Sequence, residues 1–364
     1  MAKHVRMEAI TIDEADRWDE TLREVGVFDF YHLAAFHRLA EIRGEGTAVM
    51  PVMREGDCIL AMPLLVRDIE TTGVVDARAG LKDATSVCGF AGPVASPGTH
   101  YEARGRFVPA LNDYLEQSGI VSVYQRLNPL TTPPSLLKGH GRTLQVGVTI
   151  SIDLTLPPDV QFSYYRKSHR YEIQRLRKMG FTCEQEGIDH LDDFIRIYEE
   201  AMRDLNADHA YLYGRDYFHY LMTEMSDSMH LFICRDGKTV ACVGLFGYCN
   251  GIIQYHLAGT ASEYRRLAPM KLMLDDVRQW GNSIGARVFH LGGGVGAQRD
   301  SLYDFKMGFG GREHVYSTWR HVVDQQAYDE VCRAAFETAG KLPEDSFFPA
   351  YRSPSLDREV VHAK

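Results

Sequence analysis

The run from His230 to Thr260 limits what this chain can fold into more than any other segment. It reads HLFICRD, a Gly237-Lys238 turn, TVACVGLFGYC, the dipeptide Asn250-Gly251, and IIQYHLAGT. Each apolar run is rich in β-branched and aromatic residues and has strand length. Asn-Gly tolerates the positive φ angles of a two-residue hairpin turn, so the runs on either side of it are antiparallel neighbours. Two such connections in succession exclude a continuous parallel sheet. The spacing then predicts a helix over about 268–284, a strand at RVFHL, a glycine loop, a short helical stretch and a strand at HVYSTWRHVV.

The first half follows the same order. Thr11 and Glu14 have capping-box spacing ahead of DEADRWDETLREV. A second helix is expected over about 32–43 and a third over 100–117. TAVMPVMR, the turn EGD and CILAMPLLVR read as a hairpin, and IVSVYQRL reads as a strand. DATSVCGFAGPVASPG has no clear period. Both halves thus run helices, hairpin, third strand, helix, strand, with no detectable sequence repeat. A chain of 364 residues suits two domains. The expected division is 1–150, 151–340 and a tail at 341–364. The fold class is α/β (α+β), each domain a mixed, mostly antiparallel sheet flanked by helices.

Charge narrows the function classes. Lys+Arg number 40 against Asp+Glu 49, a net of −9, so any anion binding is local and no general nucleic-acid coat exists. No apolar run approaches the ~20 residues that span a bilayer. The N-terminal residues lack the apolar core of a secretory signal. The seven cysteines include no C-x-x-C pair. Cys58, Cys234, Cys242 and Cys249 lie in strand-like runs and read as reduced core residues of a cytoplasmic protein. HExxH, GxSxG, GxxxxGK[ST] and paired Cys/His spacings are all missing, which disfavours zinc hydrolases, α/β serine hydrolases and P-loop enzymes. No metal site is expected.

Four features could carry chemistry. The loop Gly292-Gly293-Gly294-Val295-Gly296-Ala297 follows a strand. A dinucleotide fingerprint would need a βαβ unit and an acid about 20 residues on, which this stretch lacks. Two readings remain, a backbone path only glycine tolerates and close approach to a ligand, with Gly293 and Gly294 at its centre. RDSLYDFKMGFGG comes next and crowds Tyr303, Asp304 and Lys306 together, with Lys306 between aromatics. Surface lysine is the default for a single Lys. In IIQYHLAGT, alternation puts Tyr255 and His256 on opposite faces. Finally, Ser163–Gly180 holds Arg166, Lys167, Arg170, Arg175, Arg177 and Lys178 against Glu172 alone. So local a reversal of sign suggests phosphate, in a nucleotide, an RNA backbone or an anionic cell-wall precursor, although an ordinary solvated helix face is the simpler alternative.

Three stretches of the second half carry a family resemblance: RKSHRYEIQRLRKMGFTCE, LFICRDGKTVACVGLFGYCNGIIQYHLAGT and, above all, FHLGGGVGAQRDSLYDFKMGFGG. FYHLAAFHRLAEIRG and DATSVCGFAGPVAS add to it in the first. The chain resembles the FemAB-like (aminoacyl-tRNA-dependent) branch of the GNAT acyltransferase superfamily over about 28–320. The resemblance implies two tandem GNAT-like domains and an acyltransferase that forms an amide. The donor it implies is aminoacyl-tRNA, and the acceptor an amine of a peptide, a cell-wall precursor or a small molecule. No heptad stretch is long enough for the coiled-coil arm that many members carry. Acetyl-CoA enzymes of this fold bind pyrophosphate on a Q/R-x-x-G-x-G/A loop. Here that stretch is Arg265-Arg266-Leu267-Ala268-Pro269-Met270, without glycine and with a proline that has no N–H. This favours the tRNA donor, with no cofactor, over acyl-CoA as the alternative. By the same resemblance Lys306 supplies positive charge at the oxyanion or at an acceptor phosphate, and Tyr255 and Tyr303 position groups or relay protons. From the charge, loop and strand features above, Arg166, Arg170, Gly293, Gly294 and His256 are the expected substrate-binding residues. A non-catalytic module that binds an anionic ligand is the alternative from another class.

Overall fold

The computed structural model describes residues 7–69, 80–133, 135–205, 211–341 and 347–356. The elements begin with β1 (Glu8–Thr11), α1 (Ala15–Val25), α2 (Ala34–Ile42), β2 (Thr47–Glu55), β3 (Cys58–Ala61) and β4 (Leu64–Asp68). Next come β5 (Lys82–Thr85), β6 (Val94–Ala95), α3 (Tyr101–Gln117), β7 (Ile120–Arg126) and β8 (Arg142–Asp153). There follow α4 (Pro158–Ser163), α5 (Lys167–Lys178), β9 (Phe181–Glu186), α6 (Leu191–Asp204), α7 (Arg215–Thr223) and β10 (Met229–Asp236). The chain closes with β11 (Thr239–Cys249), β12 (Ile252–Thr260), α8 (Met270–Ser283), β13 (Val288–Gly292), α9 (Ser301–Met307), β14 (Arg312–Val322) and α10 (Gln325–Ala339). Two compact units result, one of Met1–Gln145 with Ser317–Lys364, the other of Val146–Tyr316.

In the second unit the strands run β9-β10-β11-β12-β13-β8. All neighbours are antiparallel except β12 and β13, which are parallel. The Asn250-Gly251 turn has φ of +47° and +78°, the positive pair its sequence requires. Ile150, Ile253, Phe289 and Leu291 from the sheet, with Leu272, Val277 and Phe309, form the core beneath α5 and α8.

The first unit repeats this order. β2 pairs with β1 on one side and with β3 and β4 on the other. The expected strand CILAMPLLVR is broken at Met62-Pro63, where proline offers no N–H to the ladder. Beyond it β4 and β5 are antiparallel, β5 and β7 parallel, and β7 and β14 antiparallel over Thr318–Val322. The same order of pairings in both units is the tandem layout of mixed, mostly antiparallel sheets. Residues 317–340, expected with the second half, belong to the first unit. The reason is local: Thr318–Val322 complete the edge of β7, and Ala327 and Val331 of α10 pack on Ile69 and Val121. Of the tail, 342–346 and 357–364 lie outside the described residues. Within 347–356, Tyr351 is buried and its hydroxyl lies 2.9 Å from Ser122 Oγ. All seven cysteines are free, with Cys58, Cys234 and Cys242 buried and Cys249 partly so.

The two first-half stretches that carried the resemblance meet inside this unit. His32 Nε2 donates to the Gly92 carbonyl at 3.1 Å. Gly89, at φ +116°, lies where a Cβ would fall 2.2 Å from the Tyr31 ring. The aperiodic segment is thus shaped by close approach to FYH rather than by a repeating pattern.

Candidate active site

The three registered pairs between β12 and β13 end at Gln254–His290. Past that point β12 has a bulge: its pairing to β11 steps from Leu257 to Tyr255, leaving His256 as the extra residue. β13 ends at Gly292, where φ is +72°. Two parallel strands that lose their shared ladder leave a wedge between them, and Lys306 of α9 reaches into it. Its Nζ donates to the Gly293 carbonyl at 2.7 Å and lies 5.3 Å from the centroid of the Tyr255 ring. Burial of the ammonium lowers its pKa from the ordinary lysine value to about 8, against a smaller opposing pull from Asp300. Lys306 is therefore no surface lysine, being 7% exposed.

The FKMGFGG signature builds this arrangement. Phe309 is fully buried, with its ring edge-on to Tyr165 and His169. Gly308 lies against His169, where a Cβ would fall 2.2 Å from the ring. Gly310, at φ +67°, abuts Tyr164. The Gly308 carbonyl accepts from Arg166 N–H at 2.8 Å, and the Phe305 carbonyl from His169 Nε2 at 2.9 Å. The start of the basic helix is thus bonded to the end of the helix that carries Lys306.

The other expected site residues divide. Tyr255 joins Lys306, stacks on Phe246 and is kept protonated by burial, which raises its pKa. Gly293 joins through its carbonyl. Gly294 has a structural role, since a Cβ there would fall 2.1 Å from Asp300 Oδ1. Asp300 accepts from Val295 N–H and Tyr303 N–H at 2.8 Å each, so its carboxylate occupies donors that an anion would need. Tyr303 bonds its hydroxyl to Glu313 and receives Arg299 at 2.6 Å. His256 lies 3.2 Å from the Tyr217 hydroxyl, and burial lowers its pKa to about 3, so it is neutral. In the basic helix Arg177 is spent on Asp275 and Asp276 of α8. Arg166, Lys167, Arg170, Arg175 and Lys178 have no ion-pair partner among the described residues.

Sequence reasoning missed a polar row across four strands. Gln254 on β12, His290 on β13 and Ser151 on β8 are in register, and all three are buried. His290 Nδ1 lies 2.6 Å from Gln254 Oε1, and Ser151 Oγ lies 2.7 Å from His314 Nε2 on β14. Burial, with lesser contributions from His314 and Lys306, lowers the His290 pKa to about 3. The available signal was a polar residue at the centre of an apolar strand, in VFHL and in IIQY.

A cavity of about 280 Å³ opens beside Tyr255, lined by Leu205, Ala258, Arg265, Met270 and Phe305 among others. A larger one of about 540 Å³ lies in the first unit along Arg67, Thr85, Ser86, Arg126 and Arg352, remote in sequence from Lys306. At the start of α8 the backbone donors of Ala268 and Lys271 are used internally. Ala268 N–H bonds to the Tyr264 and Arg265 carbonyls, Lys271 N–H bonds to the Ala268 carbonyl, and Pro269 has no N–H. No group of three or more metal-ligating side chains occurs among the described residues. No helix among them is long and apolar enough to cross a membrane.

Residues 163–307 match the family model of the acetyltransferase (GNAT) domain. No protein of curated function matches the chain by sequence. Among solved structures, FemX is similar over 89% of this chain and 99% of its own, with a TM-score of 0.68 and 13% identity. L-PGS from Bacillus licheniformis is similar over 85% and 92%, with a TM-score of 0.53 and 14% identity. Residues 163–307 thus carry an acetyltransferase (GNAT) domain, and the chain as a whole is similar in fold to FemX.

Proposed function

We propose that the second unit transfers an aminoacyl group from aminoacyl-tRNA to an amine, forming an amide. The observation that carries the donor assignment is the start of α8. A CoA pyrophosphate needs several free N–H groups at that turn, and those of Ala268 and Lys271 are already bonded while Pro269 has none. The unpaired arginines and lysines of α5 support an RNA donor, because their helix begins where α9 ends. The likeness to FemX points the same way.

In this reading the amine lone pair attacks the ester carbonyl. The new C–N bond forms, the bond from carbonyl carbon to ribose oxygen breaks, and the amine's proton ends on that oxygen. An ester is already activated, so orientation and charge stabilisation suffice and no covalent nucleophile is required. Lys306, protonated at neutral pH with a pKa of about 8, would stabilise the oxyanion from a site that excludes water. Tyr255, protonated beside it, would orient the carbonyl.

The acetyltransferase description of the matching family model favours acyl-CoA as a second reading. Incubation with charged tRNA and a panel of amines, read by mass spectrometry, separates the two when paired with calorimetry of acetyl-CoA. Amide products from tRNA with no acetyl-CoA binding are expected. Acetyl-CoA binding with acyl transfer from it alone would overturn the proposal.

A further inference from the structure

We propose that Gln254 and His290 form a positioning pair that sets the opening between β12 and β13, and with it the surroundings of Lys306. This rests on Lys306 being the working group of the site. The two residues are the last registered pair of the parallel ladder. Their side chains bond at 2.6 Å and are 1% and 0% exposed. Immediately beyond them β12 bulges at His256 and β13 turns through Gly292 and Gly293, whose carbonyl takes the Lys306 ammonium.

The placement has a physical reason. Two polar side chains buried within a sheet cost free energy that apolar residues would not, unless bonded to one another. Bonded, they add a fixed link where the backbone ladder stops. On its other side the His290 backbone pairs in register with Ser151 of β8, whose hydroxyl is taken by His314. The strand that ends at the lysine's acceptor is thereby fixed on both edges, and the wedge keeps one width. A neutral His290 with Nδ1–H donated to the amide oxygen suits this role, and the nearby ammonium disfavours a second positive charge. The charged or titratable groups facing Lys306 are Asp300 from the glycine loop, His290 from β13 and the Tyr255 phenol from β12.

The test reads Lys306 directly and needs no substrate. Lysine isotope-labelled at Cε is incorporated, the Lys306 signal is assigned by its loss in Lys306→Met, and its NMR titration is followed in folded protein. Gln254→Met keeps length and volume but removes the bond. Wedge opening admits water, so the Lys306 midpoint should rise by about one unit, roughly tenfold in proton affinity. His290→Gln, whose amide can still donate to Gln254, should leave the midpoint near that of the unsubstituted chain. The unsubstituted lysine should titrate near 8. An unchanged midpoint in Gln254→Met, or an equal rise in His290→Gln, overturns the pair's role. Should Gln254→Met not fold, Gln254→Leu and His290→Phe give the same reading. The acyl-transfer assay is separate, so a failed assay with a shifted midpoint would count against the reaction and not against the pair.

Discussion

His169 donates its Nε2 proton to the Phe305 carbonyl at 2.9 Å, tying the first turn of α5 to the helix that carries Lys306. Gly308 makes room for that ring. In Gly308→Ala the new Cβ would fall 2.2 Å from His169 Nε2, so ring or helix must move. The expected cost is about 1–3 kcal/mol, read as a lower urea midpoint. In Gly308→Ala with His169→Ala the clash partner is gone, and the loss should be smaller than the sum of the two single losses. Strict additivity would mean the ring does not set the need for glycine.

Lys306→Met keeps the buried stem and removes the charge. Turnover with a cognate donor and acceptor should fall by about 10²–10³-fold, the usual loss for one oxyanion stabiliser. Stability should hold or rise, because an ammonium leaves a site that disfavours it. Full turnover in the variant would reduce Lys306 to a structural group on the Gly293 carbonyl.

The depressed lysine pKa fixes the sign of two pH dependences. Between about 8 and the ordinary lysine value the unfolded chain binds more protons at this group than the folded one. Stability from Lys306 therefore increases as pH rises through that window, and the increase should vanish in Lys306→Met, as read by urea midpoints across it. Turnover runs the other way if the ammonium is the working form, falling as pH passes about 8.

Charge reversal at Arg166 and Arg170 should weaken binding of charged tRNA and flatten its salt dependence, each lost phosphate contact reducing the log–log slope by about 0.7–0.9. Fluorescence anisotropy over a salt series measures both. A constant and slope matching the unsubstituted protein would leave α5 an ordinary solvated face.

In the first unit Asp83 is fully buried between Arg67, at 2.8 Å, and Arg352. Asp83→Ala strands two half-buried guanidinium groups and should cost about 3–5 kcal/mol by denaturation. Arg352→Met should cost less, since Arg67 still pairs with the carboxylate.

Much of this was legible in the sequence because it is local. Asn250-Gly251 demands its turn whatever surrounds it, and the FKMGFGG glycines mark close contacts that other side chains would block. The strand break at Pro63 follows from a missing N–H, yet the run CILAMPLLVR looked continuous because its apolar pattern runs straight through. The Gln254–His290 bond was out of reach: each residue looks like an isolated exception in an apolar strand, and only the register between two strands far apart in sequence makes them partners. Residues 317–340 were assigned by proximity in the chain, whereas what decides their place is which strand edge remains open. Tyr303 sits as close to Lys306 in sequence as a partner could, but a carboxylate ten residues on holds its hydroxyl.

That open edge bears on how the protein is made. Residues 146–316 are contiguous, so every strand of the second unit is available once its last residue has left the ribosome. The first unit has no such moment until β14 and α10 have been synthesised, because β7 keeps a bare edge until Thr318–Val322 arrive. Multidomain chains commonly fold from the N-terminus as they emerge. Here the order is inverted: the second unit can close first, while the first waits, with one sheet edge exposed to chaperones and to wrong partners, for β14 and α10.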